Sequence, residues 1–224
     1  MKIAVIVPVF NESERSVSVI KGILEIFEDI SIIVIDDGSL DNSLEILKNN
    51  FRTNKRVYIV NHVINLGKGA AMKTGIKLAW KFGFEAVIFI DADGQHNPKY
   101  LPKFIEALND YPIVFGYRLL KNNAPSIRKN GNRLVGWIMA NFFNLRRKDN
   151  LCGFWGFKKN IYPKIKWKSS RYGVETEVST KVGKSKIPFY EIKIDTIYID
   201  KYKGVTIFDA LKILTKIPYW YFSK

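Results

Sequence analysis

Cysteine is almost absent. Cys152 stands alone among 224 residues, so no disulfide can form within the chain. That fits a reducing compartment without proving one, since many secreted proteins also lack disulfides. Histidine is as scarce: His62 and His96 are too few and too badly placed for a zinc cluster. Long apolar runs are missing too. The longest weakly charged stretches, Leu134–Leu145 and Ile217–Ser223, fall well short of the ~20 residues that a spanning helix needs, and the chain is not expected to cross a membrane. The opening MKIAVIVPVF has one lysine before a short apolar run. Pro8, Asn11, Glu12 and Glu14 then leave no room for a signal-peptide core or cleavage site, and the segment reads as a first strand. Acidic residues are the minority, 21 against 36 basic ones, for a formal charge of +15. Such an excess speaks to partners more than to fold: nucleic acid, anionic lipid or a phosphorylated substrate. It is concentrated late, in Arg146, Arg147, Lys148, Lys158, Lys159, Lys164, Lys166, Lys168 and Arg171.

What is present is a strong alternation. Short, near-continuous Ile/Val/Phe runs at 2–9, 31–36, 56–61, 85–91 and 112–116 have the character of central parallel strands. Between them lie helical patterns. One follows Asn11, capped by Asn11 or Ser13; others start at Asp41, at Gly69 and after Pro98. This order predicts an α/β fold with a mostly parallel sheet flanked by helices. The second half predicts a helix over 125–144, a strand over 153–159, an alternating strand over 187–200 and a short amphipathic helix over 206–217. No linker or repeat breaks the chain, so one domain is expected over 1–224.

In such sheets ligands bind beyond the carboxyl ends of the strands. The polar residues there are Asn11 and Glu12, Asp36 and Asp37, Asn65 to Gly69, and Asp91 to His96. Asp91-Ala92-Asp93 places two carboxylates one residue apart after a buried strand, and Gln95 adds a neutral oxygen. Hard oxygen ligands of this kind suit Mg²⁺ or Mn²⁺ with phosphate and water in the remaining positions. A solvated turn at Asp93-Gly94 is the simpler alternative. One of Asp36 and Asp37 can accept from a ribose or base while the other caps a helix. Asn65-Leu66-Gly67-Lys68-Gly69 is neither a Walker loop nor GxGxxG; it reads as a tight turn into a helix whose N-terminus faces a ligand, with Lys68 within reach of a phosphate.

Val7-Pro8-Val9-Phe10-Asn11-Glu12, Asp36-Asp37-Gly38-Ser39, Asn65 to Ala70 and Asp91 to Pro98, in this order, resemble family-2 glycosyltransferases of the GT-A fold, a Rossmann-like architecture. Within that family they look most like the dolichol-phosphate mannose synthase branch, and the likeness runs on through Gly116-Tyr117-Arg118 and Asp149 to Phe154. The resemblance implies a nucleotide-sugar-binding half, 1–116, and an acceptor half with the C-terminal helix, 117–224. It implies that Pro8, Phe10, Glu12, Ile35 and Asp37 line a nucleoside pocket, joined on the donor side by Asn11, Lys68 and Ala92. Asp91, Asp93 and Gln95 would hold the metal. Arg118 would meet an acceptor phosphate with Arg128 or Arg133, and Lys201 and Lys203 would close over the donor. No Arg-Trp pair of the processive polymerases is present, which favours a single transfer.

The expected function is therefore inverting transfer of a hexose from GDP-mannose or a UDP-hexose to a polyprenyl or dolichyl phosphate. A dianionic phosphate acceptor needs no general base; a hydroxyl acceptor would, and Asp149 is then the candidate. The alternatives are a family-2 enzyme with a saccharide or other hydroxyl acceptor, and a non-catalytic nucleotide or nucleic-acid binder, although no nucleic-acid signature is present. A lipid acceptor would place the protein peripherally on the cytoplasmic face of a membrane. The segment 206–223, with Lys212, Lys216 and Trp220, either lies in that interface or packs on the sheet.

Overall fold

The computed structural model describes residues 1–118, 126–171 and 173–195, together with Thr215, Ile217, Trp220 and Tyr221; for 126–132 it describes the backbone alone. Lys201, Lys203 and all of the expected 206–217 helix except Thr215 and Ile217 lie outside the described residues, as does the end of the 187–200 strand beyond Asp195.

The first half alternates as the apolar runs require: β1 (Ile3–Val9), α1 (Ser13–Ile26), β2 (Ser31–Asp36), α2 (Ser43–Phe51), β3 (Val57–Asn61), α3 (Lys68–Lys81), β4 (Ala86–Phe89), α4 (Leu101–Asp110) and β5 (Ile113–Arg118). Then come α5 (Ser126–Phe142), β6 (Trp155–Lys158), α6 (Tyr162–Ile165), α7 (Val174–Lys184) and β7 (Phe189–Ile194). The seven strands form one sheet in the order β3-β2-β1-β4-β6-β5-β7. β6 is antiparallel to both of its neighbours, and the remaining pairs are parallel.

Successive side chains of a strand point to opposite faces, so each apolar run feeds two cores. Ile6, Ile33, Ile35 and Phe89 join Met72 and Ile76 of α3, Met139 and Phe143 of α5, and Val178 and Val182 of α7. Val5, Val7, Ile32 and Val34 join Ile20 and Ile23 of α1, Leu47 of α2 and Phe104 of α4. Ile217 and Trp220 are buried in the first of these cores, and Lys184 Nζ donates to the Trp220 and Tyr221 carbonyls. The terminal segment thus turns Trp220 toward the domain and not toward an interface, while Tyr221 stays exposed.

Several boundaries differ from expectation. The strand expected to reach Asp91 ends at Phe89, which leaves Asp91 free of the ladder. Neither Asn11 nor Ser13 caps α1: the residue before the helix is Glu12 and no side chain closes that end. Asn11 instead accepts from Leu40 N at 2.8 Å. The helix expected from Asp41 starts at Ser43, with Asp41 Oδ1 accepting from Ser43 N at 3.0 Å. Helix α7 was not anticipated.

Candidate active site

β1, β2 and β4 all end on one side of the sheet, and β6, running the other way, begins there. That reversal sets Gly153, just before β6, against Asp91, just after β4. A Cβ on Gly153 would fall 2.2 Å from Asp91 Oδ2 and 2.8 Å from Lys68 Nζ. A larger residue here would push the Asp91 carboxylate and the Lys68 ammonium out of their present positions.

Lys68, the first residue of α3, lies 2.6 Å from Asp91 Oδ1 and 2.8 Å from Glu175 Oε1 at the start of α7. Burial alone would lower the lysine's pKa, but the two carboxylates outweigh it and hold the ammonium well above its ordinary range. Burial likewise opposes the charge on Asp91, and Lys68 overcomes it, so that this carboxyl titrates below its ordinary value. Asp93 gets too little help: burial and then the neighbouring Asp91 push its pKa up to about 6, against smaller opposing effects of the Gln95 N–H and Lys68. Asp93 Oδ1 accepts from Gln95 N at 2.9 Å, which curls the loop around the carboxylate. His96, 4% exposed, sits with Nε2 3.7 Å from Asp91 Oδ2. Its burial pulls its pKa down to about 4, so the ring is neutral at physiological pH.

On the β1–β2 side, Phe10 is 39% exposed and Pro8 partly so, while Asn11 takes a positive φ of 52°. Asp37 is buried and organises the 65–67 turn: Oδ2 accepts from Gly67 N at 2.7 Å and Oδ1 from Leu66 N at 3.1 Å. His62 reinforces it, with Nδ1 2.7 Å from Asp37 Oδ1 and Nε2 2.9 Å from Thr74 Oγ1. Two of the expected pocket residues have no surface to offer. Ile35 is 0% exposed and Ala92 3%, both inside the cores, so their side chains cannot line a pocket and only their backbone can serve it. Lys68, expected near a phosphate, is engaged by two carboxylates instead.

On the acceptor side, Arg118 Nε meets Asp149 Oδ2 at 2.6 Å and Arg118 Nη2 meets Oδ1 at 3.2 Å. Asp149 is fully buried, and Arg118 more than offsets the cost of that burial, holding its carboxyl below the ordinary range. Arg147, expected on a basic surface, is buried: its guanidinium stacks 3.5 Å over the Phe115 ring and donates to Ser179 Oγ and the Asp149 carbonyl. Arg133 is exposed on α5; Arg128 is on the same helix, with its side chain outside the described residues.

Among the described residues, no three His, Cys, Asp or Glu side chains converge as a metal centre. The set that fits a divalent ion is smaller: Asp91, Asp93 and the Gln95 amide. The raised pKa of Asp93 is the mark of an anion short of countercharge, which a hard cation would supply.

Sequence reasoning missed Glu175 and Glu177, whereas the glycines of 153–159 do read as points of close approach. Val174, Val178 and Val182, four apart, and two glutamates in a first turn were the available signal for α7. Glu177 accepts from Lys168 N, Ser169 N and Ser169 Oγ, and so fixes the loop beneath α3.

Residues 4–165 match the family described as Glycosyl transferase family 2. The UDP-N-acetylglucosamine–dolichyl-phosphate N-acetylglucosaminyltransferase of Methanococcus voltae is 29% identical over 96% of this chain and 94% of its own. The dolichol-phosphate mannosyltransferase of Pyrococcus furiosus is 28% identical over 98% of this chain and 64% of its own. Among solved structures, glucosyl-3-phosphoglycerate synthase of Mycobacterium tuberculosis, in complex with Mn²⁺, UDP and phosphoglyceric acid, superposes with a TM-score of 0.77. That match covers 100% of this chain and 79% of the other at 15% identity, a likeness of fold alone.

Proposed function

The chain belongs to glycosyl transferase family 2, and from that premise we propose that this glycosyltransferase moves one hexose from a nucleoside-diphosphate sugar to a polyprenyl phosphate, with inversion at the anomeric carbon. The family model covers most of the chain, and the relatives from Methanococcus voltae and Pyrococcus furiosus carry dolichyl-phosphate transferase names. The observation that carries the acceptor is the state of Asp149. A hydroxyl acceptor needs a carboxylate free to take its proton. Asp149, the candidate for that task, is fully buried and tied through both oxygens to Arg118. A phosphate monoester, with a second pKa near ~6, is largely dianionic at neutral pH and attacks without a base.

In this reading Phe10, Pro8 and Glu12 receive the nucleoside, with Asp37 and His62 fixing the turn beside it. Asp91, Asp93 and Gln95 hold Mg²⁺ or Mn²⁺, which supplies charge neutralisation for the departing nucleoside diphosphate. Arg118, steadied by Asp149, presents a guanidinium edge to the incoming phosphate. Arg133 on α5, and Arg128 with it, extend that cationic lining. Positioning and desolvation of two bound anions then provide most of the acceleration.

No described helix is long and apolar enough to cross a membrane. The described surface nonetheless offers one route to a lipid acceptor. Leu134, Trp137 and Phe142 of α5 are 45%, 60% and 51% exposed and Tyr221 is 46% exposed; Phe142 packs against both Trp137 and Tyr221. Apolar rings grouped beside Arg133 and Arg146 suit the headgroup region of an anionic bilayer.

The test is transfer of labelled sugar from GDP-mannose, UDP-glucose and UDP-N-acetylglucosamine to a short-chain polyprenyl phosphate, against polyprenol and free saccharides. Transfer to the phosphate and not to the alcohol is the expected result. Transfer to saccharide hydroxyls at equal or higher rate would overturn the acceptor assignment.

A further inference from the structure

Lys68 and Glu175 form a pair that the transfer reaction alone does not require. Glu175 lies at the start of α7, beyond the residues that match the family. The lysine is nevertheless built into place by five residues. Its ammonium touches Asp91 at 2.6 Å and Glu175 at 2.8 Å, and Gly153 leaves just the space it needs. Gly67, at a positive φ of 95°, starts α3 so that Lys68 points inward. Gly69 lets α3 close on the loop before α7, where a Cβ would fall 2.4 Å from the Ser169 carbonyl.

One oxygen of a metal-ligand carboxylate is thus occupied by a protein cation. A divalent ion at Asp91 would meet both that competition and a positive charge a few ångströms away, where repulsion is strong in a poorly solvated site. Departure of the ammonium would strand a charge unless a second anion waited for it. Glu175, already in contact, is that anion.

We propose that Lys68 is the resident cation of this site and Glu175 its second anchor, so that metal and nucleotide bind together and not separately. Without donor, Lys68 holds Asp91 and keeps the divalent ion weakly bound. When the nucleoside diphosphate arrives with the ion, the ammonium leaves Asp91, stays on Glu175 and turns toward the diphosphate. The inference rests on the metal-dependent donor site proposed above.

Mn²⁺ binding, followed by loss of the free-ion EPR signal, separates the two. Wild type should bind Mn²⁺ weakly alone and more tightly with whichever of UDP or GDP is the right base. Lys68→Met should bind Mn²⁺ alone about tenfold more tightly and lose most of the nucleotide enhancement, a coupling of ordinary size. Glu175→Gln should do the reverse, because Lys68 is left with Asp91 as its one anion: Mn²⁺ alone binds several-fold more weakly. The double variant should follow Lys68→Met. A merely loosened site would weaken metal binding in every variant, so the opposite signs are the signature. Unchanged or weaker Mn²⁺ binding in Lys68→Met, or unchanged or tighter binding in Glu175→Gln, overturns the proposal. Should Lys68→Met fail to fold, Lys68→Gln takes its place, with tighter Mn²⁺ binding again the expected sign. If wild type binds no Mn²⁺ even with nucleotide, the donor-site reading itself fails and this inference falls with it.

Discussion

Asp93 and Asp149 are both carboxylates of the proposed site, and their surroundings push them in opposite directions. Among the described residues no basic side chain pairs with Asp93, and its pKa rises to about 6 under burial and the field of Asp91. The folded protein bears that strain without using it. Asp93→Asn should therefore abolish transfer yet melt no lower than wild type in metal-free buffer at pH 7.5, and by the sign of the effect slightly higher. Transfer at the wild-type rate would remove Asp93 from the metal site. Asp149 is the reverse case. Arg118 outweighs the cost of burial, so its folded pKa lies below the unfolded value near ~3.9. A depressed carboxyl pKa stabilises the fold above the unfolded pKa, and that contribution drains away as pH falls through the folded one. Asp149→Asn leaves the partly buried Arg118 guanidinium short of its anion, which costs up to about 3–5 kcal/mol in buried pairs. Urea unfolding at pH 7 should show that loss, and the gap from wild type should narrow below about pH 4.

Elements differ in how far the chain announces them. The first five strands are built on short Ile/Val/Phe runs, buried on both faces in β1, β2 and β4, and each starts and stops within two residues of expectation. The place of Asp91-Ala92-Asp93 just beyond β4 is equally legible, because it follows a buried apolar run. β6 and α7 carry weaker marks. The reversed direction of β6 depends on its pairing with β4 and β5, which are distant in sequence, and local pattern cannot encode it. Glu175 meets Lys68 only because α3 and α7 pack end to end, so its role is a tertiary fact. A different contact explains the glycine near the end of α7. A Cβ at Gly183 would stand 2.2 Å from the Phe143 carbonyl and 3.0 Å from Leu145 Cβ. Helix propensity alone favours Gly183→Ala by roughly 1 kcal/mol. Overpacking against a backbone oxygen that cannot rotate away costs about 1–3 kcal/mol, and more at so short a distance. The contact should win: Gly183→Ala is expected to lower the melting temperature, and an unchanged or raised value would mean that α5 and α7 are free to separate.

For the molecule as a whole, the surplus of positive charge looks different once its members are placed. Of 36 basic residues, Arg147 is buried against a ring, and Lys68 and Arg118 are partly buried and held by carboxylates, so these three add little to the outer surface. Arg133 on α5 and Arg146 shortly after it are exposed, and Lys184 holds the carbonyls of the terminal segment; α5 and that segment also expose Trp137, Phe142 and Tyr221. Charge and apolar rings on the same face contribute to bilayer binding in different ways. Each basic residue near an anionic leaflet adds on the order of 1 kcal/mol, a term that salt screens within about 10 Å. Each buried ring adds about 1.5–3 kcal/mol that salt does not screen. Sedimentation with vesicles of mixed phosphatidylcholine and phosphatidylglycerol can read the two terms apart. Wild type should bind at low salt and lose most of its affinity as salt rises. Trp137→Ala with Phe142→Ala should bind roughly tenfold or more weakly at every salt concentration while keeping the same salt slope. Paired charge reversals at Arg133 and Arg146 should flatten the slope instead. Equal binding to neutral and anionic vesicles, or ring variants indistinguishable from wild type, would detach this face from the membrane and leave the lipid acceptor to reach the site by another path.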